Sequence, residues 1–235
     1  MTGVLAVDTA TEACSVALAR GDTVDERHVV APRRHNQLLF GMLRELLPDG
    51  SLVRSGVEAV AYGSGPGSFT GLRIAASAVQ GLCFSTGLPA IAVPSLKVLA
   101  QTALVEGVVS EDEHVLCLMD ARINEVYAAL CRFEDGLATC LEGPWACAPE
   151  SVRTAWDGDL VAVGSGGNFL EQFSNPLRER VSRCEPEVLP RASAMVPLAR
   201  RSFACGNLQQ AAQVSPVYVR DEINWKKIPQ QGRAS

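Results

Sequence analysis

The chain has 235 residues, 47% hydrophobic and 20% charged, with a formal net charge of −5. That composition suits one sizeable globular domain or two small ones. It contains no run of about 18 apolar residues for a membrane span, and its acidic balance argues against a protein that grips nucleic acid by itself. The basic pairs Arg33–Arg34, Arg200–Arg201 and Lys226–Lys227 read as solvated surface.

The opening MTGVLAVDTATEACSVAL lacks a basic start and is interrupted by Asp8, so no secretory leader is expected and the expected location is cytoplasmic. Cys14, Cys83, Cys117, Cys131, Cys140, Cys147, Cys184 and Cys205 form no C-x-x-C pair. They read as reduced, buried thiols, not as a zinc ribbon or a redox motif.

In chain order, residues 3–10, 13–19 and 23–31 read as three strands joined by tight turns, Arg20-Gly21-Asp22 being the clearest. The segment NQLLFGMLRELLPDG spaces Leu38, Leu39, Met42, Leu43, Leu46 and Leu47 as one broad apolar helical face, stopped at Pro48-Asp49-Gly50. A fourth strand over 57–63 feeds the loop AYGSGPGSFTGLRIAASAVQG (61–81), whose helix runs to about Gly87. A fifth strand over 89–93 follows, then a helix with Ser95 as the expected N-cap. The order βββαβαβα is that of the ribonuclease-H-like unit, from which the actin-type ATPases are built.

The second half repeats the order. HVLCLMD (114–120) ends in aspartate as GVLAVD does, EVYAALCRF turns at Glu134-Asp135-Gly136 into LATCLEG, and VAVGSG answers VAYGSG of the first half. The expectation is a duplicated α/β protein with mixed sheets. Its lobes are placed at 1–108 and 109–213, joined near 106–114, with a tail over 214–235.

The glycine loop fails as a phosphate grip. Leu72 stands where a Walker A loop has lysine, and Gly63 and Gly65 are followed by Ser68 where a Rossmann turn has glycine. Its glycines can instead let the backbone turn sharply and bring two elements together. Gly71, Ala75, Ala76, Ser77, Ala78 and Gly81 give the helix a small-residue face, which suits either ordinary core or a partner helix.

Asp8 and Asp120 end the first strand of each half, where actin-type ATPases orient a metal-nucleotide. The turns that follow, DTATEA and DARINE, carry no glycine for backbone approach to phosphates. Asp8, Thr9, Thr11 and Asp120 are therefore candidates for a degenerate nucleotide site. A ribonuclease-H-type nuclease would need a second acid beside Asp8, and Glu58 lies at the wrong end of its strand. His28, His35 and His114 form no zinc pair, and no G-x-S-x-G is present. In the tail SPVYVRDEINWKK, Tyr218 and Trp225 suit either docking on the body or contact with another subunit.

VLAVDTATEACSVAL, GSGPGSFTGLRIAAS, MDARINEVYAAL and SPVYVRDEINWKK together resemble the bacterial TsaB proteins, formerly YeaZ, across nearly the whole chain. The resemblance implies a two-lobed actin-like fold and a non-catalytic subunit. Its task would be threonylcarbamoylation of adenosine in tRNAs reading codons that begin with A. It implies pairing with the catalytic paralogue TsaD through N-terminal helices, with the ATPase TsaE joining and tRNA met only through the complex. A homodimer is expected when TsaD is absent.

The H-x-x-x-H metal pair of TsaD has here only His35, with Leu39 four residues on, so neither metal nor cofactor is expected. The interface residues assigned on this basis are Leu39, Met42, Leu43 and Leu46 on the first helix and Leu72, Ala75, Ala76 and Val79 on the second. The competing reading is an actin-like ATPase or peptidase active on its own.

Overall fold

The computed structural model describes residues 1–219. The first half runs β1 (Val4–Asp8), β2 (Ala13–Arg20), β3 (Thr23–Val30), α1 (His35–Leu46), β4 (Ala59–Gly65), α2 (Phe69–Thr86), β5 (Ala90–Pro94) and α3 (Ser95–Val105). The second runs β6 (Val115–Arg122), β7 (Glu125–Glu134), β8 (Leu137–Cys147), β9 (Leu160–Val163), α4 (Asn175–Arg178), β10 (Val181–Glu185) and α5 (Ala192–Ala204).

The two sheets are ordered β3-β2-β1-β4-β5 and β8-β7-β6-β9-β10. In each, the first strand pairs antiparallel with the second and parallel with the fourth. Identical order and direction is the duplication expected from the repeated words in the sequence. The second half departs from the first at its crossovers: a 3-10 turn at Pro149–Ser151 stands in place of α1, and a 3-10 run at Ser165–Gln172 with the four-residue α4 in place of α2. These segments lack the leucine spacing of α1, and SGGN opens the longer one with two poor helix formers.

Alternation along the strands assigns each face its cover. Leu5, Val7, Cys14, Val16, Leu18, Val60 and Tyr62 face α1 and α2 and pack with Leu39, Leu43, Leu46, Ala75 and Val79. Their neighbours Val4, Ala6, Ala17, Ala19, Ala59 and Ala61 face the other way and pack with Ala192, Met195, Val196 and Ala199 of α5. The alanines on that face let α5 lie close. On the second sheet Val115, Cys117 and Met119 pack with Leu96, Leu99 and Ala103 of α3, while Leu116 and Leu118 face Phe173 and Leu177.

Each half thus lends its last helix to the other. α3 covers β6 and β8, α5 covers β1, β2 and β5, and the two helices touch. The expected boundary at 108/109 falls in the link between α3 and β6, and packing crosses it in both directions.

Ser95 does not cap its helix as expected. Pro94 holds the N-cap position, and the buried Ser95 hydroxyl instead accepts the Gly65 N–H at 3.0 Å. A buried amide at the end of β4 requires an acceptor, and this hydroxyl is the one within reach.

Candidate functional site at the Asp8 strand end

Asp8 closes β1 and is 1% exposed. Its Oδ1 accepts the Ala10 N–H at 2.9 Å, while Oδ2 is buried with no hydrogen-bond partner. Loss of solvent pushes the carboxyl up to about 7, against the opposing pull of the Ala10 N–H.

The glycine loop and the start of α2 are stitched onto residues 8–10. Thr9 Oγ1 donates to Gly71 O at 2.7 Å, the Ser68 N–H donates to Ala10 O at 2.7 Å, and Ser68 Oγ caps α2 by accepting the Gly71 N–H at 3.3 Å. A Cβ at Gly63 would collide with the Asp8 carboxylate, and one at Gly71 with the Thr9 carbonyl. The glycines at these positions therefore serve close contact between this chain's own elements.

The C-terminal segment docks on β4, β5 and the start of α2. Gln209 exchanges backbone hydrogen bonds of 2.9 Å with Ala90, and Val217 N–H donates to Ser64 O at 2.7 Å. Tyr62 Oη lies 3.0 Å from Gln209 Oε1 and accepts the Ser215 N–H at 3.2 Å. Tyr218 meets the Phe69 ring with centroids 5.5 Å apart and accepts from Arg73 Nε at 3.0 Å, while the Arg73 guanidinium lies 3.7 Å over Phe69. Tyr218 thus docks on the body; Trp225 lies outside the described residues.

The other nucleotide-site candidates are occupied as well. Thr9 is fully buried, and the Thr11 hydroxyl accepts the Ala13 N–H at 3.3 Å. Asp120 accepts the Arg122 N–H at 2.7 Å and pairs with the Arg122 guanidinium at 2.9 Å. Arg122, Ile123 and Asn124 all hold positive φ, and that tight turn presents Arg122 to Asp120. A guanidinium is thus already paired with the second lobe's strand-end carboxylate.

Glu58 accepts the Gly3 N–H at 2.9 Å, at the opposite end of the sheet from Asp8. His35 is buried with Nε2 3.2 Å from Ala13 O. Among the described residues no three His, Cys, Asp or Glu side chains converge as a metal set.

The residues expected at the interface lie beneath the surface of this chain. Leu39, Met42, Leu43, Leu46, Leu72, Ala75, Ala76 and Val79 are all buried in this chain's own core. The large side chains of β1, β2 and β4 need a hydrophobic cover, and each such side chain sealed by it is worth about 1.5–3 kcal/mol. The solvent face of the same helices carries Phe40, Gly41 and Arg44 on α1 and Arg73, Ser77, Gln80, Gly81 and Phe84 on α2. Phe40 is 52% exposed and Phe84 85%. A signal for this was present: two phenylalanines stand outside the leucine and alanine stripes.

The duplicated sheets, the strand-end aspartates and the glycine loop define a two-lobed actin-like protein whose first strand-end aspartate is buried by its own chain. The family model described as TsaD, tRNA N6-adenosine threonylcarbamoyltransferase, matches residues 29–152, just over half of the chain. The tRNA threonylcarbamoyladenosine biosynthesis protein TsaB of Escherichia coli is 37% identical over 96% of this chain and 98% of its own length. The protein of the same name from Haemophilus influenzae is 33% identical over 96% of each. The solved structure of YeaZ from Pseudomonas aeruginosa superposes with a TM-score of 0.85 at 37% identity, covering 93% of this chain and all of that one. The chain belongs to the TsaB family.

Proposed function

We propose that this chain is a non-catalytic subunit of the machinery that forms threonylcarbamoyladenosine in tRNA. It binds and activates a TsaD-type transferase in the cytoplasm, with the ATPase TsaE joining the pair and tRNA reached through the complex. The observation that supports this reading is the buried Asp8 strand end: an actin-like enzyme needs that end open to a metal-nucleotide, and here Gly63 lies close against the Asp8 carboxylate and Gly71 against the Thr9 carbonyl.

The surface offered to TsaD is the solvent face of α1 and α2, with Phe40, Ser77 and Phe84 at its centre; the eight buried residues beneath support it. Aromatic anchors beside small residues suit a helix-against-helix contact. In the absence of TsaD the same face is left to pair with a second copy.

Ser77→Arg places a long cation on this exposed face without touching the core. It is expected to weaken association with the TsaD-type partner at least about tenfold, the equivalent of roughly 1.4 kcal/mol, with an unchanged melting temperature. Sedimentation of the mixed proteins measures this, and unaltered association removes the face from the proposal.

The competing reading, an ATPase active alone, separates at Asp8. Asp8→Ala should leave tRNA modification by the reconstituted complex intact. Multiple-turnover ATP hydrolysis by the isolated chain, abolished by that change, would overturn the scaffold reading.

A further inference from the structure

Three cysteines on adjacent strands of the second sheet meet beneath α3. Cys131 on β7 and Cys140 on β8 stand directly opposite in the register, with their Sγ atoms 3.2 Å apart. Cys117 on β6 faces Ala129, two residues from Cys131. The three thiols are free. Cys117 and Cys131 are fully buried, whereas Cys140 lies on the edge strand and is exposed.

The geometry points to a disulfide site at Cys131–Cys140, formed by exchange with a small-molecule disulfide of the glutathione class. Directly opposed antiparallel residues have Cα atoms about 4.5–5.5 Å apart, within the roughly 4.4–6.8 Å that a disulfide spans. Both side chains project to the same face, so the sulfurs need to close by only about an ångström. Cys117 and Cys131 are diagonal neighbours, about 7–8 Å apart at Cα, too far to bridge without moving the backbone. The pairing runs in unbroken register from the turn, with Glu134 facing Leu137 and Arg132 facing Thr139, and the shift that sets Glu142 opposite Leu130 comes only beyond Cys131.

Exposure orders the two steps. The Cys140 thiol loses its proton to solvent, and its thiolate attacks one sulfur of the small disulfide. That S–S bond breaks, and the first small thiol departs with the electron pair and takes up a proton. The Cys131 thiol, likewise deprotonated, then attacks Cys140 Sγ and expels the second small thiol. Two protein thiols are oxidised and one small disulfide is reduced to two thiols. Hydrogen bonding with Cys117 holds the Cys131 thiol up, and hydrogen bonding with Cys131 holds the Cys140 thiol up, with desolvation of the sulfurs adding to each. Exchange should therefore be slow at neutral pH and quicken in alkali.

The test treats the folded, full-length protein with oxidised glutathione at alkaline pH, quenches with acid, alkylates the remaining thiols and maps tryptic peptides by mass spectrometry. The expected product joins the peptide ending at Arg132 to the one ending at Arg153, with fragmentation placing the bond at Cys140 and not Cys147. Cys131→Ser should instead retain a glutathione adduct on Cys140, and Cys140→Ser should leave Cys131 free for alkylation after unfolding. A stable adduct on Cys140 of the unaltered chain, a Cys117–Cys131 link, or alkylation of both Cys131 and Cys140 after prolonged treatment each overturns the assignment.

Discussion

At the scale of single residues, Asp8 shows what burial does to a carboxylate at a strand end. In solvent at the end of a strand it would be an anion; enclosed by the glycine loop it keeps its proton to about pH 7. In the unfolded chain this carboxyl ionises near the ordinary aspartate value of 3.8. Folding is therefore favoured most below that value, and the advantage is lost progressively as pH rises from about 4 to about 7. Asp8→Asn keeps the shape and cannot ionise. It should flatten this part of the stability–pH curve and raise stability at pH 8 by about 2 kcal/mol. Abolishing the cost of ionising a buried carboxylate would by itself give more, but the new amide N–H₂ lacks a partner and offsets part of the gain. Urea unfolding at several pH values measures it, and parallel curves for both proteins would count against a neutral Asp8. Glu26 acts oppositely. Although burial raises its carboxyl, hydrogen bonds from Ser193 and Ser15 and the Arg191 charge hold it low, so its share of stability disappears as pH falls.

At the scale of elements, the decisive contact is that of α2 with β1. Gly71 brings the first turn of α2 against the Thr9 carbonyl, with the Thr9 hydroxyl donating to Gly71 O. Gly71→Ala forces backbone from backbone, with no flexible side-chain end to yield. It should cost more than about 3 kcal/mol, read as a lower denaturant midpoint, whereas Gly81→Ala on the open side of α2 should be neutral or slightly stabilising. Equal effects from the two changes would argue that close approach is not what Gly71 provides. α1 was legible in advance because leucines at helical spacing announce a helix and its buried stripe. The shortened crossovers of the second half were not, since an absent periodicity does not say what replaces it.

At the scale of the whole molecule, the exchange of α3 and α5 makes each sheet depend on the other half of the chain. Arg191 strengthens the link, bonding Glu26 on β3 at 3.0 Å and Glu106 just after α3 at 3.1 Å, while the Ala192 N–H at the start of α5 donates to Ser15 Oγ at 2.9 Å. A fragment spanning residues 1–108 should show no cooperative thermal transition by circular dichroism. Its alanine face lacks α5, and its α3 loses the second sheet that its leucines cover. Adding the 109–219 fragment should restore one, and a stably folded 1–108 alone would contradict this account.

The sequence by itself determined the strand and helix order of the first half, the duplication, the lack of a Walker A lysine and of an H-x-x-x-H pair, and the family whose motifs run through nearly the whole chain. All of these are written in local spacing, in turn chemistry, or in residue types whose absence is visible directly. Only the tertiary structure decided which helix faces are spent on the core, that Asp8 is buried with Gly63 close against its carboxylate, and that Cys131 lies opposite Cys140. Each of these turns on which surface meets which, and periodicity marks a buried stripe without naming what will cover it.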